Sequence, residues 1–562
     1  MNGIFNEDLL QFGPWQEFER NTARLLLHAG WKNPQIVGRT GDGGADVLAI
    51  DNQGRLWLFQ CKFSRRSAPT EEAIEEIKRA GKIYSADHLC VVTARKPTKG
   101  FLAEMSRLKR MKFPIAHYGP EDLLRAAESV SQNPPTKIDL RDYQILSVEK
   151  LREAVLETGR GMLVLATGLG KSVVMAELVT DLLADDLLEE GRILVLAHTN
   201  PLVSQLLTAF WRHLPKHIAT HRFAEGERPL SYQGMTFATV QSFVNLDDPP
   251  YFDMVIVDEA HHLGMPTYTR TLDKLRPPKI IGVTATPWRS DGVAISRWIG
   301  LPVHSMGIKE GLAEGWLSEV NYKIMTDNLD WSFVSDESKN GYSISELNKR
   351  LFIPMRDEEA VREITAVFQS DQRKRGLAFS PSQNHAKQFA STLRRYGFQA
   401  ASLTAEDDRI SRFKKIAQFA SGKLNFLCVV DIFNEGIDVP DVDLIVFMRV
   451  THSRRIFVQQ LGRGLRLSPT KRHVTVLDFA ADVRRIHAAL DLNTPDGDAE
   501  IEHLSLSHAH ITFADKSVGN FFYEWIADLG NIQDLDDEDL VTLPILDPQQ
   551  FNYPDPFEER GA

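Results

Sequence analysis

The chain has 562 residues, 43% of them hydrophobic and 25% charged; that is too long for one core, and at roughly 150 residues per domain it implies three or four. No uncharged apolar run reaches about 18 residues, so no membrane span is expected, and the start MNGIFNEDLLQFGPW lacks the basic-then-apolar pattern of a secretory signal. The net charge of −11 does not exclude a nucleic-acid partner, because residues 481–562 carry about −14 and leave the rest near +3.

In chain order, residues 1–125 begin with a helical pattern in WQEFERNTARLLLHAGW, where Phe18, Ala23, Leu25, Leu26 and Ala29 fall near helical spacing and Gly30 is a stop. Strands follow at VLAI, LWLFQCKF and HLCVVTA. Residues 126–137, polar and containing Pro134–Pro135, read as a linker. Residues 138–300 alternate apolar strands (GMLVLAT, RILVLAH, DMVIVDEA, KIIGVTAT) with helical stretches, and residues 301–480 repeat the pattern with RGLAFS, FLCVVDI, DLIVFMRV and VTVLDFA. Such alternation implies parallel sheets covered by helices, an α/β fold in two tandem units. Residues 481–562 form an acidic extension around DLDDEDL, with a small helix expected at FFYEWIADLG. The three cysteines, Cys61, Cys90 and Cys428, lie far apart in apolar runs. Neither zinc spacing nor a disulfide framework follows, and a reducing, cytoplasmic setting is expected.

ATGLGKS (residues 166–172) stands between the strand GMLVLA and the helical VVMAELVTDLL. Glycines there let backbone N–H groups turn toward phosphate oxygens, so Thr167, Gly168 and Gly170 form a cradle. Lys171 reaches the β/γ-phosphates and Ser172 holds Mg²⁺. DEAHH (residues 258–262) follows the apolar MVIV. Asp258 at a strand end suits the Mg²⁺ of ATP, and Glu259 suits the attacking water, the two tasks that phosphoryl transfer requires. In QQLGRGLR, Arg463 and Arg466 are three apart and share a helical face. From a second domain they could act on a γ-phosphate once the two units close.

These motifs, in this order over about residues 138–480, resemble a superfamily 2 helicase of the DEAD/DEAH-type group that includes restriction-enzyme motors. The resemblance implies tandem RecA-like domains and ATP as cofactor. LRDYQ is similar to the adenine-reading motif, with Arg141 and Gln144 as readers. TAT (Thr284–Thr286) resembles the motif linking ATP state to nucleic-acid grip, and DIFNEGIDVP a further motif of the second domain. It also implies nucleic-acid contacts at Thr199, Asn200, Thr239, Gln241, Ser242 and Ser380. These hydroxyls and amides follow strands, suited to phosphates and sugars and carrying no base information.

A motor gives weight to a pattern in the first block. Cutting a phosphodiester takes a divalent metal, carboxylates to hold it and a cation near the reacting phosphate. Asp46, in GDGGAD, precedes one strand; Gln60 and Lys62 lie two apart on the next and share a face, with Cys61 opposite. The turn DNQGR would bring Asp46 beside them, and Glu19 on the preceding helix could be a second carboxylate. FER, GDGGAD, QCK and CVVTA resemble the Mrr-like branch of the PD-(D/E)xK nucleases, which implies an N-terminal α/β restriction-endonuclease-like domain. Gln60 stands where the wider superfamily has an acid, so metal binding leans on Asp46 and Glu19. Asp42, in GDG, reads as a turn residue. KFSRR and RLKRMK add local positive charge that could grip phosphates or simply be solvated.

The expectation is an ATP-dependent DNA helicase or translocase coupled to a Mg²⁺-dependent endonuclease, in restriction or antiviral defence. Two alternatives stay open. One is a repair or remodelling helicase whose N-terminal domain only binds DNA. The other is an ATP-gated nucleic-acid sensor that docks a protein partner through its acidic tail.

Overall fold

The fold comes from a computed structural model whose described residues are 4–38, 44–136, 139–244, 246–285, 295–325, 341–343, 357–370, 373–430, 442–448, 473–479, 509–513 and 540–542. The first domain is a five-stranded sheet in sequence order: β1 (Lys32–Ile36), β2 (Val47–Ile50), β3 (Leu56–Lys62), β4 (His88–Thr93) and β5 (Ile115–Tyr118). The first three strands pair antiparallel and the last three parallel. Helix Trp15–His28 packs with Phe59 and Cys61 on one face of β3, while helix Glu72–Tyr84 packs with Leu56 and Leu58 on the other. Burial on both faces explains why β3 reads as an almost continuous apolar run. Between β2 and β3 the Asp51 carboxylate accepts hydrogen bonds from the backbone N–H of Gln53 and Arg55 and from the Trp57 indole. That turn fixes Val47 opposite Phe59, and so sets Asp46 beside the Gln60–Lys62 end of β3.

The first lobe holds β6 (Arg160–Leu165), β7 (Arg192–Ala197), β8 (Thr220–Phe223), β9 (Gly234–Thr239), β10 (Met254–Asp258), β11 (Lys279–Thr284) and β12 (Pro302–Met306). Their order is β12-β6-β11-β10-β7-β9-β8, all parallel. A parallel sheet places all its strand-to-helix loops at one edge, and ligands bind at that edge. ATGLGKS, AHTNP, ATVQSF, DEAHH and the start of TAT all follow strands of this sheet.

The second lobe holds β13 (Glu319–Ile324), β15 (Gly376–Phe379), β16 (Ala400–Leu403), β17 (Phe426–Val429), β18 (Leu444–Phe447), β19 (His473–Asp478) and β20 (Ala509–Phe513), and β14 (Gly341–Ser343) and β21 (Leu540–Thr542) form a separate two-stranded sheet. Seven form a parallel sheet in the order β16-β17-β15-β18-β19-β13-β20, and β14 pairs antiparallel with β21.

Three boundaries drawn from the sequence are crossed by elements. β12 lies past residue 300 yet is hydrogen-bonded to β6. β20 comes from the acidic extension yet pairs with β13. Helix Pro120–Ser129 runs into the segment read as linker, and the Lys216 ammonium donates to the Ala127 and Val130 carbonyls (2.8 Å each) near its end. A cation at a helix C-terminus satisfies carbonyls that the helix leaves unpaired.

The first domain meets the first lobe through buried charge. Arg20 is ion-paired with Glu227, and the Arg24 guanidinium donates to the carbonyls of Ile218 (2.8 Å) and Pro215 (2.9 Å). Its contact with the second lobe is lighter. Lys423 pairs with Asp87 at 3.3 Å, with 43% and 39% of the side chains exposed, and Ala417 joins the apolar cluster under β4.

Candidate active sites

In the first domain the structure brings together Glu19, Asp46, Gln60 and Lys62. Glu19 points from helix Trp15–His28 and is buried, as are Asp46 and Gln60. A Cβ added to Gly38 would lie 2.6 Å from Glu19 Oε2 and 2.9 Å from Asp46 Oδ1. The two carboxylates therefore flank one backbone position, where any side chain would have to push at least one of them aside. Asp46 Oδ2 accepts from the Cys61 N–H at 2.5 Å, locking the carboxylate to the strand that carries Gln60 and Lys62.

The period-two alternation holds. Gln60 Nε2 donates to Glu76 Oε2 at 2.8 Å, and Lys62 Nζ pairs with the same oxygen. Glu76 lies on helix Glu72–Tyr84, and the sequence reading missed it. Burial disfavours its charge, but Lys62 and the Gln60 amide more than offset that and hold its carboxyl below the ordinary value. Desolvation, with Asp46 and Glu19 close by, pushes the Cys61 thiol well up, so it stays a neutral packing group.

Gln60 Oε1 is buried with no hydrogen-bond partner among the described residues. Two carboxylates and one neutral carbonyl oxygen are the hard donors that Mg²⁺ takes, with water completing its shell. The residues thus fit the metal that the chemistry implies. Among the described residues no three His, Cys, Asp or Glu side chains form a metal-ligating group.

In the first lobe, Gly168 and Gly170 adopt the left-handed conformation. Gly170 caps helix Lys171–Ala184, whose N-terminus, with its unpaired N–H groups, faces where a phosphate would sit. Lys171 Nζ lies 3.8 Å from Glu259 Oε1, with 17% and 16% of the side chains exposed. Thr167 and Ser172 flank this cradle in the chain. Asp258 ends β10; burial and the adjacent Glu259 push its carboxyl up against the opposing pull of Lys171. A divalent cation at the end of β10 would offset both the burial of Asp258 and the repulsion from its neighbour, so this site too fits Mg²⁺. Glu259 has φ 48°, a costly backbone for a residue with a side chain and a mark of functional sites.

Arg141 and Gln144 sit at the start of helix Asp142–Thr158. The Gln144 carboxamide is engaged at both ends, accepting from the Arg141 N–H and donating to the Leu169 carbonyl, each at 3.1 Å. Arg141 donates to the Trp316 carbonyl at 2.9 Å and lies over its ring. In this state Gln144 braces the phosphate loop, and Trp316 is an aromatic neighbour that no motif announced.

A run of imidazoles joins the hydrolytic loop to a nucleic-acid loop. His261 Nδ1 lies 3.3 Å from Glu259 Oε2 and 3.2 Å from Thr284 Oγ1. The His261 and His262 rings are 4.2 Å apart, and those of His262 and His198 4.4 Å. Thr199 caps the helix that begins at Asn200, and Asn200 Oδ1 is buried without a hydrogen-bond partner among the described residues. Thr239 and Ser242 share a hydrogen bond of 2.8 Å, Ser242 also donates to the Phe223 carbonyl, and Gln241 is exposed. Ser380 is buried after β15, so reaching a bound strand would require its cover to move. Arg463, Arg466, Thr286, Asp42, DIFNEGIDVP, FFYEWIADLG and the acidic residues of DLDDEDL lie outside the described residues. Of the basic stretches, Arg107 is paired with Glu104 and Arg65 donates to the Phe12 carbonyl. Both are partly spent on local structure.

Comparison with known proteins follows this layout. Residues 11–113 match a restriction endonuclease family, 137–289 the type III restriction enzyme res subunit family, and 358–468 the helicase conserved C-terminal domain family. IRC3 of Saccharomyces cerevisiae, provisionally named an ATP-dependent helicase, is 26% identical over 378 residues, covering 65% of this chain and 55% of that protein. The type I restriction enzyme EcoAI endonuclease subunit of Escherichia coli is 24% identical over 379 residues, covering 60% and 46%. The chain thus spans about half the length of these relatives. Among solved structures, the ATP-dependent type ISP restriction-modification enzyme LlaBIII bound to DNA matches with a TM-score of 0.52 at 16% identity, covering 94% of this chain and 43% of that one. At that identity the likeness speaks for the fold. With three families matched in the order in which the three α/β units fold, the chain is a superfamily 2 helicase core behind an N-terminal Mrr-type restriction endonuclease domain.

Proposed function

We propose that the chain is an ATP-driven DNA translocase that delivers duplex DNA to a metal-dependent cutting site in its first domain, in restriction or antiviral defence. The observation that carries this reading is the convergence of Glu19, Asp46, Gln60 and Lys62 in a domain fixed by buried charge to the motor. In the motor, Lys171 and the cradle Thr167–Gly170 would hold the triphosphate, Ser172 and Asp258 would hold Mg²⁺, and Glu259 would orient water. Arg141 and Gln144 would border the base, and the motif that carries Arg463 and Arg466 gives them a role on the γ-phosphate. The loops of Thr199, Asn200, Thr239, Gln241, Ser242 and Ser380 contact the nucleic-acid backbone without reading bases. In the nuclease, Glu19, Asp46 and the Gln60 carbonyl would hold Mg²⁺, which supplies Lewis-acid activation when bound. Lys62 places its charge at the reacting phosphate. The relative named a type I restriction endonuclease subunit supports a restriction role.

A second reading, a DNA-binding but non-cutting first domain in a repair or remodelling helicase, is favoured by the commitment of Lys62 to Glu76 and by Gln60, which offers a cation only a neutral carbonyl. The deciding experiment incubates the purified chain with supercoiled plasmid, modified and unmodified, with Mg²⁺ or Mn²⁺ and with or without ATP. Nicked or linear product supports the first reading. DNA-stimulated ATP hydrolysis with intact plasmid under every condition supports the second.

A further inference from the structure

A glutamine in the place of an acid poses a chemical problem: its two ends are nearly the same shape, yet only the oxygen can bind a cation. Its partner decides which end faces where. An ionised carboxylate only accepts hydrogen bonds, so the end of Gln60 that meets Glu76 at 2.8 Å is the NH₂, and Oε1 is the end left buried without a partner among the described residues. The same Glu76 oxygen takes the Lys62 ammonium. A Cβ on Gly44 would come within 3.0 Å of Gln60 Nε2 and 3.5 Å of Glu76 Cβ, so the backbone at Gly44 lies against this pair and limits how far either side chain can swing.

We infer that Glu76 is the positioning carboxylate of the nuclease site. From its helix position 14 residues beyond Lys62, Glu76 fixes the Gln60 carboxamide with its oxygen toward a divalent cation, holds Lys62 in place, and restores the negative charge that glutamine lacks. This rests on the cutting reading of the first domain. Glu76 touches neither metal nor phosphate in this role; it acts through Gln60 and Lys62. Its logic is reciprocal, since a carboxylate at position 60 needs no orienting partner and would be repelled by one.

The test uses the full chain with Glu76→Ala, Gln60→Glu and the double change Gln60→Glu with Glu76→Gln. It reads plasmid cutting, nucleotide-free Mn²⁺ binding by calorimetry corrected by Asp46→Ala, and DNA-stimulated ATP hydrolysis as the folding control. Glu76→Ala is expected to lower the cutting kcat and weaken Mn²⁺ binding by about tenfold or more, the range for losing a group that orients a metal ligand, with KM for DNA and ATP hydrolysis unchanged. Gln60→Glu alone is expected to impair cutting, and the double change to recover it to within about threefold of wild type, the coupling expected of touching groups. Glu76→Ala cutting and binding Mn²⁺ like wild type overturns the inference, as does a double variant no better than Gln60→Glu. A wild type that neither cuts nor binds Mn²⁺ through Asp46 removes the cutting reading itself, and the inference with it.

Discussion

Both candidate sites hold a lysine against a glutamate, but the two pairs are built differently. Lys171 and Glu259 stand 3.8 Å apart on neighbouring loops of one sheet edge, mostly buried. At that separation they attract without a direct hydrogen bond, so an incoming phosphate can take the ammonium without first breaking one. Lys62 and Glu76 are in direct contact across a strand and a helix, about a third exposed, with Gln60 bonded to the same oxygen. The first is an exchangeable contact suited to a cycling nucleotide; the second is a fixed support suited to a site that must be ready when DNA arrives.

Lys171→Ala breaks the motor side of that comparison most severely. DNA-stimulated phosphate release should fall by at least about 100-fold, since the substituted group neutralises transition-state charge. Retention of most of the hydrolysis would remove Lys171 from the phosphate cradle. Next in size is Gly38→Ala, which drives a methyl group between Glu19 and Asp46. Cutting should drop by about 100-fold, as expected when reacting groups are displaced by about 1 Å, while ATP hydrolysis stays within about twofold. Parallel loss of both activities would instead mean a folding defect.

A third prediction concerns the junction between the two sites. Burial, with Arg24 and Lys216 near it, holds His28 down to about 3, and burial, with Arg20 and Arg24 adding, holds His221 down to about 4. Unfolded, each takes up a proton near pH 6.5; folded, each stays neutral. Stability is therefore full above that pH and falls as pH drops toward 4, by up to about 1.4 kcal/mol per unit for each histidine. Urea midpoints between pH 7 and 5 should fall for wild type and fall less steeply for His221→Gln; equal slopes would contradict the assignment. The smallest effect is expected at the second-lobe contact. Lys423→Ala should change stability by less than about 1 kcal/mol, because its pair with Asp87 is exposed. A larger loss would mean that the first domain is anchored to both lobes rather than carried mainly by one.

The motor was legible because its chemistry is contiguous. Asp258 and Glu259 are adjacent, Lys171 follows its glycines directly, and each motif ends an apolar run that could be recognised as a strand. The nuclease site was legible only where one strand and one turn set the geometry, as with Asp46, Gln60 and Lys62. Glu76 escaped because IEEIKRA reads as the solvated face of an amphipathic helix, and nothing local says which glutamate turns inward. Trp316 escaped for a similar reason: its place beside Arg141 comes from packing over 175 residues of separation. Strands β12 and β20 escaped the drawn boundaries because a parallel sheet recruits edge strands by register, which composition does not encode.

The central claim, that one chain carries a motor and a separable blade, is tested most directly by measuring phosphate release and strand breakage on the same duplex DNA for wild type, Lys62→Ala and Lys171→Ala. The account predicts that wild type does both, that Lys62→Ala hydrolyses ATP at the wild-type rate without breaking a strand, and that Lys171→Ala hydrolyses none and loses ATP-dependent breakage. Undiminished breakage by Lys62→Ala, or breakage by Lys171→Ala that still depends on ATP, would contradict it.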